Sequence, residues 1–145
     1  WPIQNGPSHH QQHERRDHHG HQVHRCQHLH GATQLLETVG GERVTGRALE
    51  VLPRLADGAY DLVLVDGDKT EYAEYVEQAA RLLRPGGVMA IDNSLWHDKV
   101  ADPAQRDPDT IAIRGVVTGL RDDERWLPAL LPVGDGLLTA VRTAV

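Results

Sequence analysis

Hard oxygen donors and one lysine stand at the ends of two apolar runs. Leu62-Val63-Leu64-Val65 breaks off into Asp66-Gly67-Asp68-Lys69, and Val88-Met89-Ala90-Ile91 breaks off into Asp92-Asn93. A short apolar run bounded by turn formers reads as a strand buried on both faces, the kind that parallel sheets use. In open α/β sheets, ligands bind outside the carboxyl ends of such strands. Two neighbouring strands would present Asp66, Asp92 and Asn93 to one small volume. Carboxylate and amide oxygens are the donors that suit Mg²⁺ or a similar divalent ion. Lys69 falls at the same edge, where an amine could take the proton of a substrate hydroxyl. Each residue also has a plainer reading: Asp66 and Asp68 can end a strand and cap a helix, Asp92-Asn93 can form an ordinary turn, and Lys69 can be a solvated turn residue.

The elements that must position these groups follow from periodicity. Glu71 to Arg84 sets Tyr72, Val76, Ala79, Leu82 and Leu83 at helical spacing, with Glu71, Glu74, Glu77 and Arg81 mostly opposite. Asp68 or Thr70 can cap this helix, and Arg84-Pro85-Gly86-Gly87 stops it, so the second strand is expected directly after the glycines. Strand, helix and strand together predict a right-handed βαβ unit. Upstream, Thr33 to Val39 reads as the end of a helix closed by Gly40-Gly41. Arg43-Val44-Thr45 reads as a short strand, and Ala48 to Leu55 as a short helix or turn limited by Pro53. Downstream, Ser94 to Arg106 is a loop that holds Trp96, His97, Asp98 and Lys99. Asp107-Pro108-Asp109 opens a helix with a cap, a first-turn proline and an acid near the positive dipole end. Ile113, Val116, Val117 and Leu120 form its buried face, and Gly115 and Gly119 either weaken it or mark close packing. Trp126 to Leu131 and Leu137 to Val141, joined by Pro132-Val133-Gly134-Asp135-Gly136, predict a closing antiparallel hairpin.

Composition narrows the function classes. The chain has 145 residues, enough for one domain with a real core. No run approaches the roughly 18 apolar residues of a membrane span, so no membrane partner is expected. A net charge of −6 argues against a nucleic-acid surface. The single Cys26 excludes an internal disulfide framework and fits a reducing, cytoplasmic setting. Of the ten histidines all but His97 lie within residues 1–31, a stretch without apolar periodicity. That segment reads as disordered or foreign to the domain, with a metal-binding tract or out-of-frame coding as alternatives. The domain is expected over residues 32–145. Because the only methionine is Met89, Trp1 is not a translation start, and the chain is read as a fragment.

With these pieces in place, the chain resembles the cation-dependent class I O-methyltransferases, the family of caffeoyl-CoA and catechol O-methyltransferases and their bacterial relatives. The resemblance runs from Val44 to Arg142 through V-D-G-D-K, L-R-P-G-G, I-D-N-x-L-W, V-A-D-P, A-I-R and P-V-G-D-G, in that order. It implies an α/β, Rossmann-like and mostly parallel sheet ending in an antiparallel hairpin, with family strand order 3-2-1-4-5-7-6. This chain would keep 4-5-7-6 contiguous and leave strand three without neighbours. The family's first strands, glycine-rich loop and ribose-binding acid are missing from the sequence.

What the resemblance implies for function is methyl transfer from S-adenosylmethionine to one hydroxyl of a small aromatic diol. Carried over residue by residue, Asp66, Asp92 and Asn93 match metal ligands and Lys69 matches the general base. Asp68 matches a position near the cofactor's methionine portion, and Gly46, Arg47 and Ala48 match the loop bordering its adenine. Asp135 matches a position facing the substrate pocket, Asp66 is expected to face the acceptor as well as the metal, Trp96 reads as a packing residue or as a stacking platform for the aromatic acceptor, and His97 reads as a surface loop residue. A phenol ionises only near pH 10, so a cation that holds both diol oxygens would stabilise the phenolate and choose which oxygen meets the methyl group. A non-catalytic remnant that binds divalent metal is the alternative. A dehydrogenase is disfavoured by the absent G-x-G-x-x-G and has no need of the metal triad. Relatives often dimerise, so a homodimer is an expectation by analogy.

Overall fold

The computed structural model describes residues 34–37 and 43–145. The histidine-rich stretch 1–31 and Gly40-Gly41 lie outside the described residues. Burial that alternates along the strands shows how the main sheet is built. In β3 (Tyr60–Val65) Val63 and Val65 are buried, and in β4 (Leu83–Ile91) so are Met89 and Ile91. The two strands are parallel, with Val63 beside Met89 and Val65 beside Ile91. The same face continues through Leu138 and Ala140 of β6 (Leu137–Arg142) and Trp126 of β5 (Trp126–Leu131). The sheet order is β3-β4-β6-β5, with β6 alone running against the other three. That is the contiguous 4-5-7-6 block expected above.

Two helices cover this face. α2 (Tyr72–Leu82) buries Tyr72, Val76, Ala79 and Leu82, as its spacing predicts, and Tyr75 and Ala80 beside them. A 3₁₀ turn, Lys69–Glu71, leads into it, and Asp68 caps that turn by accepting from the Thr70 main-chain N–H. α3 (Pro108–Asp122) begins as expected, with Asp107 accepting from the Thr110 N–H at 3.1 Å and buried Ile113, Val116 and Leu120 turned inward. Methyl groups built at Gly115 and Gly119 would meet nothing within 4 Å, so these glycines weaken the helix and do not serve close packing.

Before β3, β1 (Gln34–Glu37) pairs antiparallel with β2 (Arg43–Gly46) in a separate two-stranded sheet. β2 leads into α1 (Ala48–Val51) and a 3₁₀ turn, Leu52–Arg54, where Pro53 limits the helix as predicted. Arg81 of α2 ties this turn down, donating to the carbonyls of Leu52 at 2.6 Å and Leu55 at 2.8 Å.

Two expectations are corrected. The helix end read at Thr33 to Val39 is strand β1 over Gln34–Glu37. A helix that short cannot repay its nucleation, whereas an extended segment satisfies the open hydrogen-bonding edge of β2. The second strand does not wait for the glycines: helix α2 ends at Leu82, and β4 already pairs at Leu83, opposite Tyr60. Pro85, Gly86 and Gly87 are carried inside the strand, where an irregularity in register absorbs them.

Candidate functional site

The carboxyl ends of β3 and β4 lie side by side, because the Asp92 main-chain N–H donates to the Val65 carbonyl at 3.0 Å. Asp66 and Asp92-Asn93 therefore emerge at one edge. Lys69 reaches back to it from the 3₁₀ turn and is buried, with 5% exposure. Its Nζ donates to Asn93 Oδ1 at 2.9 Å and lies 3.6 Å from Asp66 Oδ1. The reading of Lys69 as a solvated turn residue is thus overturned. Asn93 adopts a left-handed backbone, with φ of 58°, which asparagine tolerates better than most residues. Its main-chain N–H donates to Asp92 Oδ1 at 2.7 Å, which orients that carboxylate.

The donor set fits a hard cation in chemistry. Asn93 Oδ1 has a second lone pair beyond the one facing Lys69, and Asp92 keeps its Oδ2 beyond the oxygen used by Asn93. Among the described residues no group of three His, Cys, Asp or Glu side chains is placed to hold a metal, so the candidate set stands on two carboxylates and an amide.

Tyr72 completes the surroundings of Lys69. It is fully buried, accepts from Lys69 Nζ at 2.5 Å, and donates to the Asp92 carbonyl at 3.2 Å. Burial first, then the charges of Asp66 and Asp92, push its phenol far above the ordinary value, so it stays protonated. The ammonium also lies over two rings, 4.9 Å from the Tyr72 centroid and 5.6 Å from that of Trp96. Sequence reasoning saw Tyr72 only as part of a buried helix face. The signal that could have found its second role is its place three residues after Lys69 across a 3₁₀ turn, where such positions eclipse.

The rim is a loop held in an unusual shape. Trp96, His97 and Asp98 are consecutive left-handed residues, with φ of 49°, 54° and 63°. Each such residue costs about 1–2 kcal/mol, so the surroundings must enforce the turn. The β5–β6 hairpin does this: Ser94 N–H donates to the Gly136 carbonyl at 2.9 Å, Leu95 N–H to the Asp135 carbonyl at 2.9 Å, and His97 N–H to Asp135 Oδ1 at 2.6 Å. Gly136 has φ of 84° and lies so close to Leu95 that a Cβ would fall 2.5 Å from Leu95 Cγ. From the other side Arg114 of α3 donates to the carbonyls of Val100 at 3.0 Å, Lys99 at 3.1 Å, Asp102 at 2.8 Å and Gln105 at 3.3 Å. This clamp was missed in the sequence, where Arg114 is merely the end of A-I-R.

Asp135 therefore holds the loop. Trp96 is half-buried and packs on the core, as its packing reading expects, with its ring 5.6 Å from Lys69 Nζ. His97 is exposed, as expected of a surface residue. Asp68 is exposed and engaged by Thr70, whose hydroxyl and N–H hold its carboxyl below the ordinary 3.8. Ala48 is fully buried, Gly46 is half-buried, and Arg47 reaches Glu71 across 3.5 Å, which ties the start of α1 to the start of α2. No helix among the described residues is long and apolar enough to cross a membrane.

Comparison with known proteins gives these strand ends a family. Residues 41–143 match the family described as O-methyltransferase. A curated Mycobacterium avium protein named for O-methyltransferase activity is 48% identical over 99 residues, which cover 68% of this chain and 45% of that protein. A solved protein of Corynebacterium glutamicum superimposes with a TM-score of 0.65 at 32% identity, covering 69% of this chain and 46% of its own. The O-methyltransferase TomG of Streptomyces achromogenes, solved in complex with S-adenosylmethionine, gives a TM-score of 0.61 at 31% identity, with 68% and 48% covered. The chain thus spans about half the length of the relatives it matches. Matched by the family's pattern through most of its length and sharing its fold with a solved member, this chain belongs to the O-methyltransferase family.

Proposed function

We propose that the chain carries the metal-binding and proton-accepting side of an S-adenosylmethionine-dependent O-methyltransferase acting on a catechol-like small molecule. The observation that carries this reading is the burial of Lys69 at the joined ends of β3 and β4, within 2.9 Å of Asn93 and 3.6 Å of Asp66. Structural relatives solved with S-adenosylmethionine or its demethylated product support the choice of donor.

Asp66, Asp92 and Asn93 would hold a divalent cation. When bound, such an ion stabilises a phenolate and gives two neighbouring oxygens a common anchor. In its free-amine form Lys69 takes the proton from the acceptor hydroxyl and becomes the ammonium. The freed oxygen then attacks the methyl carbon in line, an O–C bond forms as the C–S bond breaks, and the electron pair passes to sulfur, leaving S-adenosylhomocysteine. Trp96 and the hairpin at Asp135 border the acceptor, while Gly46, Arg47, Ala48 and Asp68 border the donor.

Calorimetric titration with S-adenosylmethionine, with and without Mg²⁺, followed by a catechol methylation assay, tests this. Micromolar binding that Mg²⁺ makes productive supports the proposal. Mg²⁺ binding by a folded chain without donor binding or turnover would instead identify a metal-binding remnant.

A further inference from the structure

We infer that Tyr72 is a positioning residue whose phenol oxygen, together with Asn93, fixes the one direction along which Lys69 exchanges a proton with the acceptor. The inference rests on the reading of Lys69 as the base.

A phenol has a single proton. In Tyr72 it is committed to the main-chain carbonyl of Asp92 at 3.2 Å, a residue itself tied to β3 through its N–H. Only lone pairs are left to face Lys69, so the 2.5 Å contact runs one way, with Nζ donating. A core phenol needs no more than the carbonyl to satisfy its hydroxyl. The second bond serves the lysine.

The nitrogen of a lysine has four tetrahedral directions. One is the bond to Cε, one points at Tyr72 Oη and one at Asn93 Oδ1, 2.9 Å away. The fourth is engaged by neither of these, and Asp66 Oδ1 lies 3.6 Å off, beyond normal hydrogen-bond length. The rings of Tyr72 and Trp96, 4.9 Å and 5.6 Å away, close the flanks. With 5% exposure the side chain has nowhere to swing, so the remaining direction is fixed at the strand-end edge. The eclipsing of positions 69 and 72 by the 3₁₀ turn is what lets so short a segment set both groups on one side.

Tyr72→Phe keeps the ring and removes only the oxygen. Lys69 and Lys99 are the chain's only lysines, so limited reductive methylation read by peptide mass has an internal reference. In the variant, labelling of Lys69 relative to Lys99 should rise about tenfold, the loss of one hydrogen bond to a charged group. In steady state with S-adenosylmethionine, Mg²⁺ and catechol, kcat should fall roughly tenfold to a hundredfold while the KM for S-adenosylmethionine stays within about twofold. An unchanged labelling ratio, or an unchanged kcat, overturns the inference. A wild-type chain without turnover sinks the methyl-transfer reading instead, and the labelling ratio then judges the role of Tyr72 alone. Should the variant not fold, proton exchange at the ¹⁵N-labelled ammonium groups of the wild-type chain decides, with Lys99→Arg for assignment. Lys69 should exchange about tenfold more slowly than Lys99, and equal rates overturn the inference.

Discussion

Asn93 serves two masters at the residue scale: its backbone turns left-handed to end β4, and its side chain feeds the site. The two can be separated by substitution. Asn93→Ala should cost about 1–2 kcal/mol of stability, because alanine resists a φ of 58°. Asn93→Gly should leave the thermal midpoint near that of the wild type yet weaken Mg²⁺ binding in a calorimetric titration. Equal Mg²⁺ affinity in the glycine variant would remove Asn93 from the ligand set. The sequence made the donors visible because two apolar runs one βαβ unit apart both stop at polar residues, a signal that is weak in either run alone. It left Tyr72 hidden, since a tyrosine on a helical stripe looks the same whether its hydroxyl is idle or holds Lys69.

Two elements decide the shape of the rim, the left-handed turn at Trp96–Asp98 and the hairpin beneath it. Gly136→Ala would drive a methyl group against both Leu95 Cγ at 2.5 Å and Leu95 N at 2.7 Å, in a backbone region that alanine avoids. A loss of about 2–4 kcal/mol by denaturant unfolding is expected. α3 offers the contrary case. Gly119→Ala adds a methyl group that meets nothing, so the variant should gain about 1 kcal/mol. A loss on unfolding would mean that the helix face is packed after all. The hairpin and both helices were legible because turn residues, caps and apolar stripes agree there. β1 was not, because four residues from Gln34 to Glu37 carry too little pattern to outweigh the demand of an open strand edge.

Across the whole molecule, carboxylates join elements that are distant in sequence. Arg125 ahead of β5 grips Glu77 of α2 with bonds of 2.7 Å and 2.9 Å, and the Arg125 contact is the main cause that holds the Glu77 carboxyl below its ordinary 4.5. Asp107, bonded to Thr110, is likewise held below 3.8. A depressed carboxyl contributes stability that is fully present above its unfolded value and lost as pH falls through its folded one. The thermal midpoint should therefore hold steady near neutrality and drop below about pH 4. Glu77→Gln should flatten that acid limb, and an unaltered limb would show that the pair contributes nothing. On the sheet face opposite the helices, Leu62, Val88, Val141 and Leu127 line up across the strands, with Leu127 66% exposed. The continuous apolar runs read in the sequence as strands buried on both faces, and a sequence alone could not say which members of that stripe water reaches.

Arg114 has a consequence of another kind. Every acceptor it hydrogen-bonds in the rim loop is a main-chain carbonyl, so those bonds do not depend on which side chains stand at positions 99, 100, 102 and 105. Two of them still shape the loop in their own right, since Val100 packs against the core and Asp102 accepts from the Ala104 main-chain N–H at 2.9 Å. A lineage built on this frame can rewrite the surface of the rim at Lys99 and Gln105 and keep the same carbonyls in the grip of Arg114.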